Sequence, residues 1–406
     1  MIRLSISFAF VLFLLSSCTF FLGKKQDDTV DDIFEQGKID PVLVPQGVGY
    51  VPVQPFFTGF SNPVDVYAGF DEMIYVIDDF GVHVLDQAGR RYRTVPIPGA
   101  TDIVQDRRLH TFVIGRADIV NGGRTYNVAA VYHLTNMATA EGPYFLDTLL
   151  HPYSDNSRTF SSFRGADDEE VEYTALSILH DNTLLVSRTG PNNAAASLSY
   201  PDNTVLLFNA AGQNTGYSNG LSPNNPSIRS SYKISAMASY AGPPQRLSGI
   251  SQSRDFFLAQ YDSQQSVEFA CIGIQYLFDP DFGSLYDGKP VFLDFDTSKA
   301  DRFLYEPFRF GKIEDVYIAP DQNAYLFVVD SEKDSLFQFT SLGYEGVNAP
   351  ANYPSGKQIN VSFGGEGSGL FNFIDPTGVC YFKRMVYVAD KGNGRICRYK
   401  LSTDLE

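Results

Sequence analysis

The 406-residue chain has no tryptophan, although Phe (33) and Tyr (24) are plentiful. Any stacking on a sugar or a base therefore falls to Tyr, which offers an apolar face and a polar tip. Histidine is scarce, at five residues. A zinc centre needs several nitrogen or sulfur ligands converging on one point, and five scattered histidines supply that poorly. Basic residues are also in deficit. Thirty-one Lys and Arg face forty-seven Asp and Glu, for a net charge of −16. That balance argues against nucleic acid, which needs a basic face, and against an electrostatic grip on anionic lipid. Cysteine is rare too. Beyond Cys18 only Cys271, Cys380 and Cys397 remain, and an odd number excludes complete internal pairing. Each lies in an apolar strand-like run, so burial as a small hydrophobe is expected. Cys380 and Cys397 are expected on strands separated by a third, about 9–10 Å apart and beyond disulfide reach. No HExxH, Walker loop, Gly-x-Ser-x-Gly elbow or EF-hand spacing occurs.

Long hydrophobic runs are missing except at the start. Arg3 is followed by an apolar stretch from Ser5 to Leu15. That is the length of a secretory h-region and too short to span a bilayer comfortably. Leu15-Ser16-Ser17-Cys18 then resembles a bacterial lipobox, which implies cleavage before Cys18 and lipidation of its thiol. Such acylation would anchor the protein stably at a membrane. Residues 1–17 are thus expected to be a lipoprotein signal peptide, and residues 18–45 the lipidated Cys and a flexible, largely polar tether. Residues 46–406 form the folded part. The expected location is the outer membrane, facing the periplasm or the cell surface.

Fifty-six Gly and Pro punctuate the remainder, and short apolar strands recur with a regular order. Six units open on Asp65-Val66, Asp102-Ile103, Ser177-Ile178, Gly249-Ile250, Asp315-Val316 and Gly378-Val379. Second strands follow at 74–77, 111–114, 184–186, 256–259, 326–329 and 386–389. Third strands are expected at 82–85, 128–134, 204–208, 269–278, 336–339 and 395–399. Fourth strands are expected at 93–97, 144–150, 231–235, 291–295 and 358–363. The sixth unit ends after three. Residues 50–57 can supply its fourth strand from the other end of the domain, closing the ring and removing an open sheet edge. The expected fold is all-β, a six-bladed β-propeller closed by an N-terminal strand.

The last unit reads Phe363-Gly364-Gly365-Glu366-Gly367-Ser368-Gly369, then Phe371, Pro376-Thr377-Gly378-Val379, Val386-Tyr387-Val388-Ala389-Asp390, Asn393 and Arg395-Ile396. It resembles an NHL repeat. The first unit, from Asn62-Pro63-Val64-Asp65-Val66 to Asp78, matches less fully, and Val328-Val329-Asp330 more weakly still. The resemblance covers about a sixth of the chain directly and implies an NHL-like six-bladed propeller for the rest. Some NHL propellers are zinc lyases acting on amidated-peptide precursors. Here His83 and His133 fall in third strands, His151 ends a fourth, and His110 and His180 belong to the opposite rim, so that activity is not expected.

In a four-stranded blade, the end of strand two and the start of strand three share one face. This maps Asp78, Asp330 and Asp390 to one arc through the ring closure, with Arg116, Arg188 and Gln260 on the rest of that face. These six residues are the candidate binding face. An Asp after a strand commonly accepts N–H groups of its own turn; its functional alternative is a polar ligand or a cation such as Ca²⁺. No catalytic residue, metal site or cofactor is assigned. The expected role is a membrane-anchored, extracytoplasmic binding or scaffold propeller that presents loop-rich rims to a protein or glycan partner. The alternative is a carboxylate- or Ca-dependent hydrolase or lyase at the mouth of the central channel.

Overall fold

In the computed structural model, residues 37–152, 163–192, 202–218, 233–243, 251–263, 267–281, 283–289, 296–351 and 353–405 are described. They form six antiparallel sheets, five with four consecutive strands and a sixth that adds N-terminal strands to three C-terminal ones, so the chain is an all-β six-bladed propeller. Blade one is Asp65–Ala68, Ile74–Asp78, Gly81–Leu85 and Arg91–Val95. Blade two is Ile103–Gln105, Thr111–Asn121, Arg124–Thr135 and Tyr144–Leu150. Blade three is Glu172–Ile178, Leu184–Thr189, Thr204–Phe208 and Asn214–Tyr217. Blade four is Ile234–Ser239, Phe256–Gln260, Cys271–Asp279 and Gly283–Gly288. Blade five is Ile313–Ile318, Leu326–Asp330, Ser335–Phe339 and Phe363–Gly364. Blade six takes Pro376–Phe382, Met385–Asp390 and Arg395–Leu401 from the C-terminus and Tyr50–Pro52 from the N-terminus.

The expected closure is present and antiparallel, with Tyr50 opposite Leu401 and Pro52 opposite Tyr399. A second short strand, Phe57–Thr58, pairs further along the same partner. The apolar side chains of Tyr50, Val51, Val53, Phe56 and Phe57 are all buried, which is why this segment docks and does not fray. Upstream, Lys38 exchanges two backbone hydrogen bonds with Gln54. The ordered domain therefore reaches back to residues 37–38, inside the span read as tether. Residues 1–36, including Cys18, lie outside the described residues.

Two blades differ from the sequence reading. The first strand of blade four is Ile234–Ser239, whereas Gly249-Ile250 lies outside the described residues. The segment 231–235, read as the fourth strand of blade three, runs into that inner strand instead. Blade three takes its fourth strand from Asn214–Tyr217, a stretch that reads as a loop insertion. The reason is compositional: Asn-Thr-Gly-Tyr is an edge strand with alternating exposure and little apolar content, and Gly216 sits at φ +145°. In blade four the outer strand is Gly283–Gly288, with 291–295 outside the described residues. Blade five ends in the two-residue strand Phe363–Gly364, shorter than the expected 358–363.

A shared irregularity ties the blades together. In blades three to six the register slips by one residue early in the first strand, at Tyr173/Ala175, Ile234/Ala236, Ile313/Asp315 and Pro376/Gly378. The repetition persists where the sequence signature is lost. It fixes the equivalent positions around the axis as Asp65, Asp102, Ala175, Ala236, Asp315 and Gly378. Each pairs with, or accepts from, the residue one before the second-strand position of Asp78, Gly115, Arg188, Gln260, Asp330 and Asp390. Among the described residues no helix is long and apolar enough to cross a membrane.

The three cysteines are free and buried. Cys380 and Cys397 lie opposite Tyr387 and Val388, on strands either side of the middle one, as expected. Burial pushes all three thiols up.

Candidate functional site

The candidate face consists mainly of buried residues, each engaged locally. Asp78 accepts N–H groups from Ser61 (3.0 Å) and Phe80 (2.8 Å). Its Oδ1 lies 2.7 Å from His83 Nε2, and the imidazole Nδ1 is 2.7 Å from Thr94 Oγ1. Burial holds His83 below its usual range despite that carboxylate. Asp330 accepts four backbone N–H groups, from Gly311, Lys312, Glu332 and Lys333. Burial nevertheless raises its carboxyl. Asp390 accepts from Ile374 N–H (2.8 Å), Asn393 Nδ2 and Arg395 Nε (2.7 Å). Each carboxylate thus ties the turn after strand two to the approach of strand one of its own blade.

The other three residues are equally committed. Arg116 donates to Asn127 and to the carbonyls of Glu169 and Val171, clamping the one-turn helix Ala166–Glu169 against blade two. Arg188 is buried and donates to Asp202 O (3.1 Å). Gln260 donates to Phe269 O (2.7 Å). Among the described residues no group of three or more His, Cys, Asp or Glu side chains could hold a metal ion.

The axis carries a feature that sequence reasoning missed. Asp65, Asp102 and Asp315, noted in the sequence only as strand openers, line a central void of about 50 Å³ with Ser177, Met237 and Tyr317. Asp102 and Asp315 act as staples between neighbouring inner strands. Asp102 Oδ2 accepts Leu176 N–H of blade three (2.6 Å), and Asp315 Oδ2 accepts Val379 N–H of blade six (2.7 Å). Ser177 Oγ accepts Ser239 N–H of blade four (2.9 Å). Asp65 and Asp102 both line the void, and each bears on the other's ionisation. Burial raises all three carboxyls, Asp102 to about 6, and mutual repulsion raises Asp65 and Asp315 further. Blade six has Gly378 at the equivalent place because a Cβ there would lie 2.8 Å from the Asp65 Cα and 3.0 Å from its Oδ1. The signal available in the sequence was the recurrence of Asp before Val or Ile at three of six strand starts.

A larger concavity opens on the opposite rim, between blades five and six, with a volume of about 400 Å³. The turns after the first strands of both blades (Asp321–Asn323, Lys383–Arg384) form its lip. The closing strand and the chain end contribute Tyr50, Leu401 and Asp404. Its walls are aromatic: Phe327 stacks on Tyr381 with ring centroids 5.4 Å apart. Its floor holds Gln338, fully buried, whose Oε1 accepts the Tyr50 hydroxyl at 2.5 Å. The Gln338 Nε2 has no acceptor among the described residues. Tyr325 Oη accepts Asn348 N–H (3.2 Å), and Tyr381 donates to Asp321 Oδ2 (3.3 Å). Burial raises Tyr50, Tyr325 and Tyr381, so all three remain neutral phenols. No sequence motif marks this pocket, because its residues come from six separate segments.

No protein-family model matches the chain, and no curated protein sequence is similar to it. Solved structures resemble it at low identity. One is a gluconolactonase from Xanthomonas campestris, 8% identical with a TM-score of 0.48, covering 90% of this chain and 93% of that one. Another is a protein of unknown function from Bacteroides thetaiotaomicron, 14% identical with a TM-score of 0.48, covering 88% and 76%. A third is a virginiamycin B lyase from Staphylococcus aureus, 8% identical with a TM-score of 0.41, covering 87% and 99%.

Proposed function

We propose that the protein is a binding propeller of the NHL type, tethered to the outer membrane through Cys18, that captures a protein or glycan partner and carries out no catalysis. The observation that carries this reading is the contrast between its polar groups. Carboxylates that could have served a reaction or a cation are spent on backbone N–H groups: those of Asp330 and Asp390 at the rim, those of Asp102 and Asp315 at the axis. The one-sided pocket of about 400 Å³ between blades five and six instead presents neutral phenols and a carboxamide whose Nε2 has no acceptor among the described residues. A hollow that sets an aromatic wall beside placed polar groups is suited to recognition.

A second reading keeps the channel as an acid catalyst, a carboxylate- or Ca-dependent hydrolase or lyase. It is favoured by one observation, the buried carboxyls of Asp65 and Asp102 on the axis, both raised by burial. The void they line, about 50 Å³, has room for little more than water. The test is affinity purification of the tagged, lipidated protein from membranes, with the co-purifying protein or glycan identified. A specific partner supports the binding reading. Turnover of a lactone or glycoside panel that is lost in Asp65→Asn supports the second.

A further inference from the structure

The geometry points to a neutral, polyhydroxylated ligand, a saccharide, as the occupant of the pocket between blades five and six. This inference rests on the binding reading above and names the chemical class that the site selects. Gln338 is the central observation. It is fully buried and borders the hollow, its carbonyl oxygen is fixed by Tyr50, and its Nε2, itself closed to solvent, has no acceptor among the described residues. A buried donor left unpaired is costly, so a side-chain shift that lets a ligand bring it an acceptor is favourable. Around it, Tyr325 uses only its oxygen, to receive the Asn348 N–H, so its own proton is available. Tyr381 spends its proton on Asp321 and keeps oxygen lone pairs free. Donors and acceptors are therefore both present among the lining side chains. Hydroxyl groups answer both roles, whereas an apolar ligand would strand them.

Charge argues in the same direction. The lip carries Asp321, Asp404, Lys383 and Arg384, two of each sign. Lys383 is held by Glu72 at 2.6 Å and Arg384 by Asp404 at 3.2 Å. Asp321 is held by hydrogen bonds alone, from the Asn323 and Ala324 N–H groups and the Tyr381 hydroxyl. Both cations of the lip are thus already paired, so an anionic ligand would be desolvated without a free counter-charge. The volume lies in the ~300–1,000 Å³ range of small-ligand sites. In the absence of Trp, the aromatic part of the lining is Tyr50, Tyr325, Phe327 and Tyr381.

The absence of Trp also supplies the assay, since intrinsic emission comes from tyrosine alone. The full domain is titrated with maltohexaose, cellohexaose, xylohexaose, mannohexaose and laminarihexaose, with hexagalacturonate as the acidic control. Binding is followed by tyrosine emission and by calorimetry. At least one neutral hexaose should bind. Gln338→Leu and Tyr325→Phe should each weaken it by about tenfold or more, and melting curves identify any variant that fails to fold. Tyr325→Phe removes one hydroxyl and keeps the ring, so it tests the pocket even if the Gln338 variant unfolds. The proposal is overturned if no neutral hexaose binds at millimolar concentration, or if hexagalacturonate binds as well as the best neutral one. It is equally overturned if both variants bind unchanged. Both variants also go through the membrane purification. A protein partner retained by each, with no sugar bound, leaves the binding propeller standing and removes the saccharide.

Discussion

Replacing Asp102 by Asn should stabilise the propeller at neutral pH and do almost nothing in acid. Asp102 is buried on the axis, and burial raises its carboxyl to about 6 against roughly 3.9 in an unfolded chain. The sign follows from proton linkage. A carboxyl with a raised folded value binds more protons in the native state between the two values. Its stability contribution is therefore full below about pH 4 and is lost as pH climbs through about 6. A difference of about two units is on the order of 3 kcal/mol. Asn keeps the geometry. Its Oδ1 can accept the Leu176 N–H that Asp102 Oδ2 accepts now, and its amide puts no charge beside Asp65. With an unfolding entropy near 2.1 cal/mol/K per residue over roughly 350 residues, 3 kcal/mol corresponds to about 4 °C. The assay is a pair of thermal melts, variant minus wild type, at pH 7.5 and pH 4.5. The variant should melt higher by several degrees at pH 7.5, with the gap nearly closed at pH 4.5. A variant that melts lower at pH 7.5, or a gap that ignores pH, would refute the account of the axis.

Truncation through residue 36 should leave the melt unchanged, whereas truncation through Thr58 removes five buried side chains at about 1.5–3 kcal/mol each. Equal melting of the two would disprove ring closure. Asp78→Ala, Asp330→Ala and Asp390→Ala should each destabilise by about 1–3 kcal/mol through stranded donors, and the three costs should add. Millimolar Ca²⁺ should shift none of these melts; a calcium shift abolished in all three variants would restore a cation site. Cys18→Ser should move the protein out of the detergent phase or leave an unprocessed precursor, and normal partition would show the anchor to be elsewhere.

Strand content and closure were legible because they rest on local pattern. Ile74–Asp78, Leu326–Asp330 and Met385–Asp390 are apolar runs bounded by polar turns, and an unpaired first strand beside a three-stranded last unit has one economical resolution. Blades three and four were legible only in part. Their signature is lost, and the edge strand Asn214–Tyr217 holds its place through backbone pairing with Leu206–Phe208, not through apolar side chains. Ile234–Ser239 reads equally well as an outer or an inner strand, and only its packing against Glu172–Ile178 and Ile313–Ile318 decides. Site residues were hardest. Asp78, Asp330 and Asp390 were correctly placed at strand ends, yet an Asp that caps a turn and an Asp that binds a ligand leave the same letter in the sequence. The pocket of Tyr50, Gln338 and Tyr381 depends on segments more than three hundred residues apart, and no local pattern encodes that proximity.

The closing strand also sets an order of events during synthesis. Tyr50–Pro52 is made among the first parts of the domain, but its partner Arg395–Leu401 is among the last. Arg398 Nη2 reaches Pro55 O at 2.7 Å across a separation of 343 residues. Until the C-terminus emerges, the first segment has nowhere to dock, and blades one to five can stack only as an open arc with raw edges at both ends. Contacts so distant make ring completion a slow step, and the exposed edges are a liability while it is pending. Chains that stop short of residue 395 would remain open arcs, however well their other five blades had formed.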